Sequence, residues 1–97
     1  MARFILTNKA IEDLSEIWNY TFDEWSEEQA DKYYDLLLAC CQDLANHPNF
    51  GKIHDGIRKG LFGFKANHHI IFYRITATNE IEIARILHEK MDLKSKF

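Results

Sequence analysis

The sequence predicts an α+β domain of order β-α-α-β-β-β, an antiparallel helical hairpin packed on a small, mainly antiparallel sheet. Apolar residues recur at three- and four-residue spacings through 9–23 and again from 26 to about 47, a helix-capping signal divides the two stretches, and β-branched or aromatic runs fill the chain beyond residue 60. At 97 residues, with 46% apolar and 28% charged side chains, four Gly and one Pro, the chain fits one folded domain, 1–97. This composition excludes a disordered or collagen-like polymer.

Phe4-Ile5-Leu6 is a short apolar run closed by Thr7-Asn8, a first strand followed by a helix-start signal. Ile11, Leu14, Ile17, Trp18, Thr21, Phe22 and Trp25 then make one face of a helix over about 9–23, with Glu12, Asp13, Glu16 and Asn19 between them. Ser26-Glu27-Glu28-Gln29 is an S-x-x-Q capping box, in which the Ser hydroxyl accepts a first-turn N–H and Gln reaches back. Trp25 and Ala30 stand where a hydrophobic staple forms. The second helix carries the stripe Ala30, Tyr33, Tyr34, Leu37, Cys41, Leu44 and Ala45, and ends near His47 ahead of Pro48. So short a connection forces the helices antiparallel, and their stripes need a further layer to cover them.

Residues 48–60 hold turn formers and read as a connecting loop, extended near Ile57. Leu61 to Lys65, His69 to Ile75 and Ile81 to Leu87 follow as three consecutive antiparallel strands. Continuous apolarity in 69–75 predicts a central strand covered on both faces, whereas Ile81-Glu82-Ile83-Ala84 alternates like a half-exposed one.

Charge divides the chain. Residues 1–47 hold Arg3, Lys9 and Lys32 against ten acids, whereas residues 48–97 hold nine bases against five acids. Whole-chain charge argues against nonspecific nucleic-acid binding, but the basic half leaves room for a local anionic partner. The longest apolar run, Leu36 to Cys41, is far short of the ~20 residues of a membrane span, and the start of the chain has no signal-peptide pattern. A cytoplasmic location is expected. Adjacent Cys40 and Cys41 diverge on a helix and point to reduced, partly buried thiols, consistent with a reducing compartment.

Arg85 is in phase with Ile81, Ile83 and Leu87, so a regular strand aims it at the core side of the sheet. It must then pair with a carboxylate or sit where a bulge or strand end opens to solvent. Arg74 raises the same question as either an anion fork or a rim salt bridge. His88, three residues beyond Arg85, faces the opposite way in a regular strand and converges with it only if pairing ends first. A neutral histidine there has the chemistry of a general acid or base. His68-His69 falls at a hairpin tip, and the His47 to His54 gap is no zinc signature, so no metal or other cofactor is expected.

Thr7-x-x-Ala10-x-x-Asp13-Leu14-x-x-Ile17, Tyr20-Thr21 with Trp25, Gln29-Ala30, Leu44-Ala45-x-x-Pro48-x-x-Gly51, Phe72-Tyr73-Arg74 and the ending Arg85-Ile86-Leu87-His88-x-x-Met91-Asp92 together resemble the ParE branch of the RelE/ParE toxins over nearly the whole chain. The resemblance implies the toxin of a bacterial type II toxin–antitoxin pair that inhibits DNA gyrase by binding, with no catalytic residue. It also implies a hetero-oligomer with a ParD-like antitoxin, whose C-terminal segment folds across the groove between helices and sheet. Trp18, Phe22, Trp25, Tyr33 and Tyr34 are the candidate antitoxin anchors, since aromatics dominate interface hot spots. Arg58, Lys65, Arg74, Lys90, Lys94 and Phe97 are the candidates for contact with the target, the last three on a basic tail; no sequence-specific nucleic-acid binding is expected. The competing class is a ribosome-dependent mRNA endonuclease of the RelE branch, for which Arg58, Arg74, Arg85 and His88 would form the catalytic set. Against it, Glu89 follows His88, no Tyr follows Tyr73, and the pI is ≈ 5.9. A third class binds an antitoxin but has lost its toxic activity.

Overall fold

The computed structural model describes residues 2–97. Strand β1 (Arg3–Leu6) leads into α1 (Asn8–Glu24) and α2 (Glu27–Asn46). A short strand β2 (Lys52–Ile53), β3 (Phe62–Ala66), β4 (His69–Ala77) and β5 (Glu80–His88) follow. Both hydroxyl caps form, but among the described residues the Gln29 side chain does not reach back to Ser26. The Thr7 hydroxyl accepts the Ala10 N–H at 3.0 Å and the Ser26 hydroxyl accepts the Gln29 N–H at 3.1 Å, each satisfying a donor the helix itself leaves unpaired. Trp25, expected to staple onto Ala30, instead stands 76% exposed.

The five strands lie in the order β1-β5-β4-β3-β2, with β1 parallel to β5 and every other pair antiparallel. Two-residue turns at Asn67-His68 and Thr78-Asn79 make the last three strands a meander, and Asn67 and Asn79 take the positive φ these turns need. The expected extension near Ile57 is corrected. The extended residues are Lys52 and Ile53, paired with Gly63 and Phe62, while the Ile57 N–H turns back to the His54 carbonyl and its side chain packs under the sheet.

The core is split by the sheet. On the helical face Leu14, Leu37, Cys41 and Leu44 meet Ile71, Tyr73, Ile81, Ile83 and Ile86. On the other face Leu61, Phe72 and Leu87 are covered by Ile57, Leu93 and Phe97, so β4 is apolar on both sides as far as Tyr73 and exposed from Arg74 onward. Burial pushes the Cys41 thiol up to about 12, as suits a small apolar filler.

Tyr73 anchors the loop after α2. Its hydroxyl donates to the Pro48 carbonyl at 2.6 Å and accepts the Gly51 N–H at 3.0 Å. A Cβ on Gly51 would stand 2.5 Å from that oxygen, whereas one on Gly56 would meet nothing within 4 Å. Gly51→Ala should therefore cost about 1–3 kcal/mol in urea denaturation, and Gly56→Ala should stay within about 0.5 kcal/mol of the parent.

Candidate functional site

Strand β1 pairs only with Glu80 to Ile83 and stops at Leu6, leaving Ala84–His88 of β5 with no strand on that side. Side chains of the following segment take over. The Thr7 N–H donates to the Ile83 carbonyl and its hydroxyl to the Ala84 carbonyl, and Asp13 on α1 accepts the Ile86 N–H at 3.0 Å. A bulge sits at the same place, because Phe72 opposes Arg85 while Tyr73 opposes Ile83 and Ala84 is left over. Beyond the bulge Ile86 takes the helical face, so Arg85 is released from the core side on which a regular strand would put it.

Arg85 closes on Asp13 through a two-pronged pair, Nε to Oδ2 and Nη2 to Oδ1, both at 2.8 Å, and its Nη1 donates to the Lys96 carbonyl at 2.8 Å. Both side chains are largely buried, at 15% and 7% exposed. The Asp13 hydrogen bonds hold the guanidinium further above its ordinary value. Of the two alternatives for Arg85 the carboxylate pair is realised, at a bulge that does not open it to solvent, and Arg74 forms a rim pair with Glu82.

Below this pair lies a groove of about 810 Å³ between the turn end of the hairpin and the uncovered stretch of β5. Ile17, Tyr20 and Thr21 on α1, Trp25 at the turn and Tyr33 on α2 form one wall; Ile86, Leu87 and His88 with Met91 form the other. Trp25 and Tyr20, 76% and 66% exposed, present unusually large aromatic surface to solvent at its rim.

Of the five aromatic candidates, Trp25 and Tyr33 line the groove. Trp18 and Phe22 do not; they stack on each other at 5.3 Å on the flank of α1, where the Trp18 ring N–H donates to Asp31 across the hairpin. Tyr34 packs on the main core. The sequence reading missed Ile17, Tyr20 and Thr21 as a groove wall. Their i, i+3, i+4 spacing was visible, but which flank of α1 stays uncovered depends on where β1 stops.

One end of the groove holds three imidazoles. His69 and His88 meet edge to face at 5.2 Å, His68 and His88 stack at 6.3 Å, and the Tyr33 hydroxyl hydrogen-bonds His69 Nδ1 at 2.6 Å. Burial, then the neighbouring His88 and His68, lowers His69 from 6.5 to about 4, which keeps it neutral. His88 Nδ1 accepts the Lys90 N–H at 3.2 Å, leaving Nε2 to carry the proton of the neutral ring. Glu89 bridges His68 and Lys65, which holds its carboxyl below the usual range and occupies Lys65. Among the described residues, no three His, Cys, Asp or Glu side chains gather as a metal site.

The four residues of the endonuclease alternative are divided. Arg58 and Arg74 border a second cleft of about 520 Å³ on the far face of the sheet, His88 lines the groove, and Arg85 borders both. Of the target candidates, Arg58, Arg74 and Phe97 share that cleft; Lys90 and Lys94 are exposed away from it. The tail does not extend outward. It folds through a 3-10 turn at Lys94–Lys96 and sets Phe97 edge-on against Phe72 at 5.2 Å, with the Arg58 guanidinium 5.5 Å over the Phe97 ring.

A family model described as the ParE toxin of the type II toxin–antitoxin system parDE matches residues 4–93. The chain belongs to the ParE toxin family. Toxin ParE1 of Mycobacterium tuberculosis is 36% identical over 92 residues, covering 95% of this chain and 94% of that one. Toxin ParE1 of Caulobacter vibrioides is 33% identical over 95 residues, covering 98% and 97%. Among solved structures, a chain of the chromosomal ParDE system of P. aeruginosa superposes with a TM-score of 0.77 at 22% identity, covering 91% of this chain and 96% of that one. A chain of the RelBE2 toxin–antitoxin complex of Mycobacterium tuberculosis gives 0.69 at 19% identity, covering 91% and 98%. At those identities the likeness establishes the fold, a helical hairpin on a mainly antiparallel sheet. This member of the ParE family has no helix, among the described residues, long and apolar enough to cross a membrane.

Asp13→Ala strips the partner from a buried guanidinium and from the Ile86 N–H, and should cost about 3–5 kcal/mol in urea denaturation; adding Arg85→Met should recover part of that loss. His69 makes stability depend on pH. Because it titrates at about 4 when folded and at 6.5 when unfolded, the unfolded chain binds the extra proton between those values. The His69 contribution should be full above about 6.5, decline as the pH falls toward 4 and level off below, and His69→Gln should flatten the 4 to 6.5 part of a melting-temperature profile.

Proposed function

We propose that this ParE family toxin inhibits DNA gyrase by binding, and that a ParD-like antitoxin silences it by ordering an amphipathic segment in the groove. The observation that carries the antitoxin half is the groove itself, with part-buried Ile17 and exposed Met91 on its walls, Tyr20 and Trp25 at its rim, and a stretch of β5 alongside that no strand pairs. A segment that folds on binding gains affinity by burying such apolar surface. The toxin–antitoxin complexes among the structural neighbours support a partner of that kind.

Inhibition without catalysis is supported by where the candidate catalytic side chains are engaged. Arg85 is held by Asp13, Arg74 by Glu82, and His88 opens on the side of the sheet away from Arg58. Among the described residues the acidic side chain lining the far-face cleft is Glu82, already committed to Arg74, so those arginines have no free general base beside them there.

Antitoxin-free chain, checked for folding by circular dichroism, is added to gyrase, ATP and relaxed plasmid. Blocked supercoiling, with linear plasmid released after detergent and protease, is the expected result; unimpeded supercoiling by folded protein would overturn the gyrase reading. His88→Ala should keep the inhibition, whereas an RNase relying on that base would lose about 10²–10⁴-fold in cleavage. Trp25→Ala should weaken antitoxin binding by about tenfold or more while leaving gyrase inhibition intact.

A further inference from the structure

The far-face cleft gathers cations that the fold does not use. Lys9 at the start of α1, Arg58 on the loop before β3 and Lys96 on the tail are all exposed, and none makes a salt bridge among the described residues. They border one cleft of about 520 Å³, in a chain whose net charge is −3. Arg74 and Arg85 add to the wall but are neutralised by Glu82 and Asp13. Three free positive charges therefore face one acidic side chain that is already paired.

The loop holds Arg58 in place. The Asp55 carboxylate accepts the Gly60 N–H at 2.9 Å, the Arg58 N–H donates to the His54 carbonyl at 3.1 Å, and the guanidinium lies over the Phe97 ring. A guanidinium backed by an aromatic ring is a flat platform of the kind on which unpaired bases stack, and cations flanking such a platform track a phosphate backbone. Both hydroxyls of the cleft are occupied, Thr7 with the Ala84 carbonyl and Ser95 with the Asp92 carbonyl. Neither hydroxyl has a proton left to donate to a ribose 2′-oxygen.

We propose that this cleft holds a single strand of DNA, its phosphates on Lys9, Arg58 and Lys96 and one base stacked on the Arg58–Phe97 pair. Recognition is of backbone charge and a base face, without sequence preference. The proposal does not rest on gyrase as the target, because DNA alone is the ligand tested, and its failure leaves the supercoiling result standing.

The test is fluorescence anisotropy of the full chain with a labelled single-stranded DNA of about 12 nucleotides. Three phosphate contacts predict that log K falls against log salt with a slope of about −2 between about 50 and 200 mM. Lys9→Gln, Arg58→Gln and Lys96→Gln should each reduce that slope by about 0.7, and the triple variant should abolish it. Phe97→Leu should weaken binding about fivefold or more with the slope retained, and Lys32→Gln, an exposed lysine of α2 that borders neither site, should change nothing. Melting curves by circular dichroism confirm that each variant folds. Absence of binding at low salt, or a folded triple variant that binds like the parent, overturns the proposal. So does a polyglutamate peptide that competes as well as the DNA, which would assign the cleft to an acidic protein segment, or an RNA of the same sequence that binds about tenfold tighter or more, which would mean the sugar is read.

Discussion

The carboxylate of Asp13 does the work that a strand would otherwise do. β1 ends four residues into the sheet, and a β5 edge left bare inside the fold would have an unsatisfied N–H beside apolar side chains. Asp13 accepts that N–H from Ile86 and neutralises the guanidinium released by the adjacent bulge, so one side chain closes a sheet edge, fixes α1 against β5 and, through the Arg85 bond to the Lys96 carbonyl, ties down the tail. A carboxylate with three such donors is stable at this depth because each oxygen is paired. Remove it and three elements lose their common anchor.

The short β1 also creates the groove. Had the strand continued beside Ala84–His88, its residues would fill the space that Ile17, Tyr20 and Trp25 now border. Part of the β5 edge has no neighbouring strand, and Thr7 and Asp13 cover it, which blunts the tendency of an open edge to template pairing with other chains. In a toxin-family chain, a slot rimmed by exposed Tyr20 and Trp25 is suited to an apolar partner, since large aromatic side chains supply much of the affinity and specificity of such contacts.

Much of this was legible in the sequence. The helices were readable from their caps because Thr7 and Ser26 act on donors two or three residues away, and the central place of β4 was readable from an uninterrupted apolar run that only a doubly covered strand tolerates. The orientation of Arg85 was not, because it turns on the bulge at Ala84, and a bulge changes the phase of a strand without changing its composition. β2 was missed for a related reason, being two residues long with both side chains exposed and no alternation to detect. The groove wall on α1 was hidden because Trp18 and Phe22 are more apolar than Tyr20 and Thr21, yet stacking and the bond to Asp31 hold them against the hairpin. Hydrophobicity located the helix; the length of a neighbouring strand decided which flank stays open.

Arg85 borders both the groove and the far-face cleft, yet it belongs to neither ligand. Its donors are taken up by Asp13 and the Lys96 carbonyl, so an anion seeking it would have to displace a buried, two-pronged pair, and that exchange is unfavourable compared with engaging the exposed Lys9, Arg58 and Lys96. The same locked pair separates the two surfaces chemically. On one side the aromatic and aliphatic walls favour an amphipathic segment; on the other, free cations favour an anion, and the sheet between them is filled by Phe72 and Leu87 beneath and Ile71 and Ile86 above. Among the described residues the two sites share Arg85, already satisfied within the fold, and Lys96, whose carbonyl holds Arg85 while its side chain is exposed.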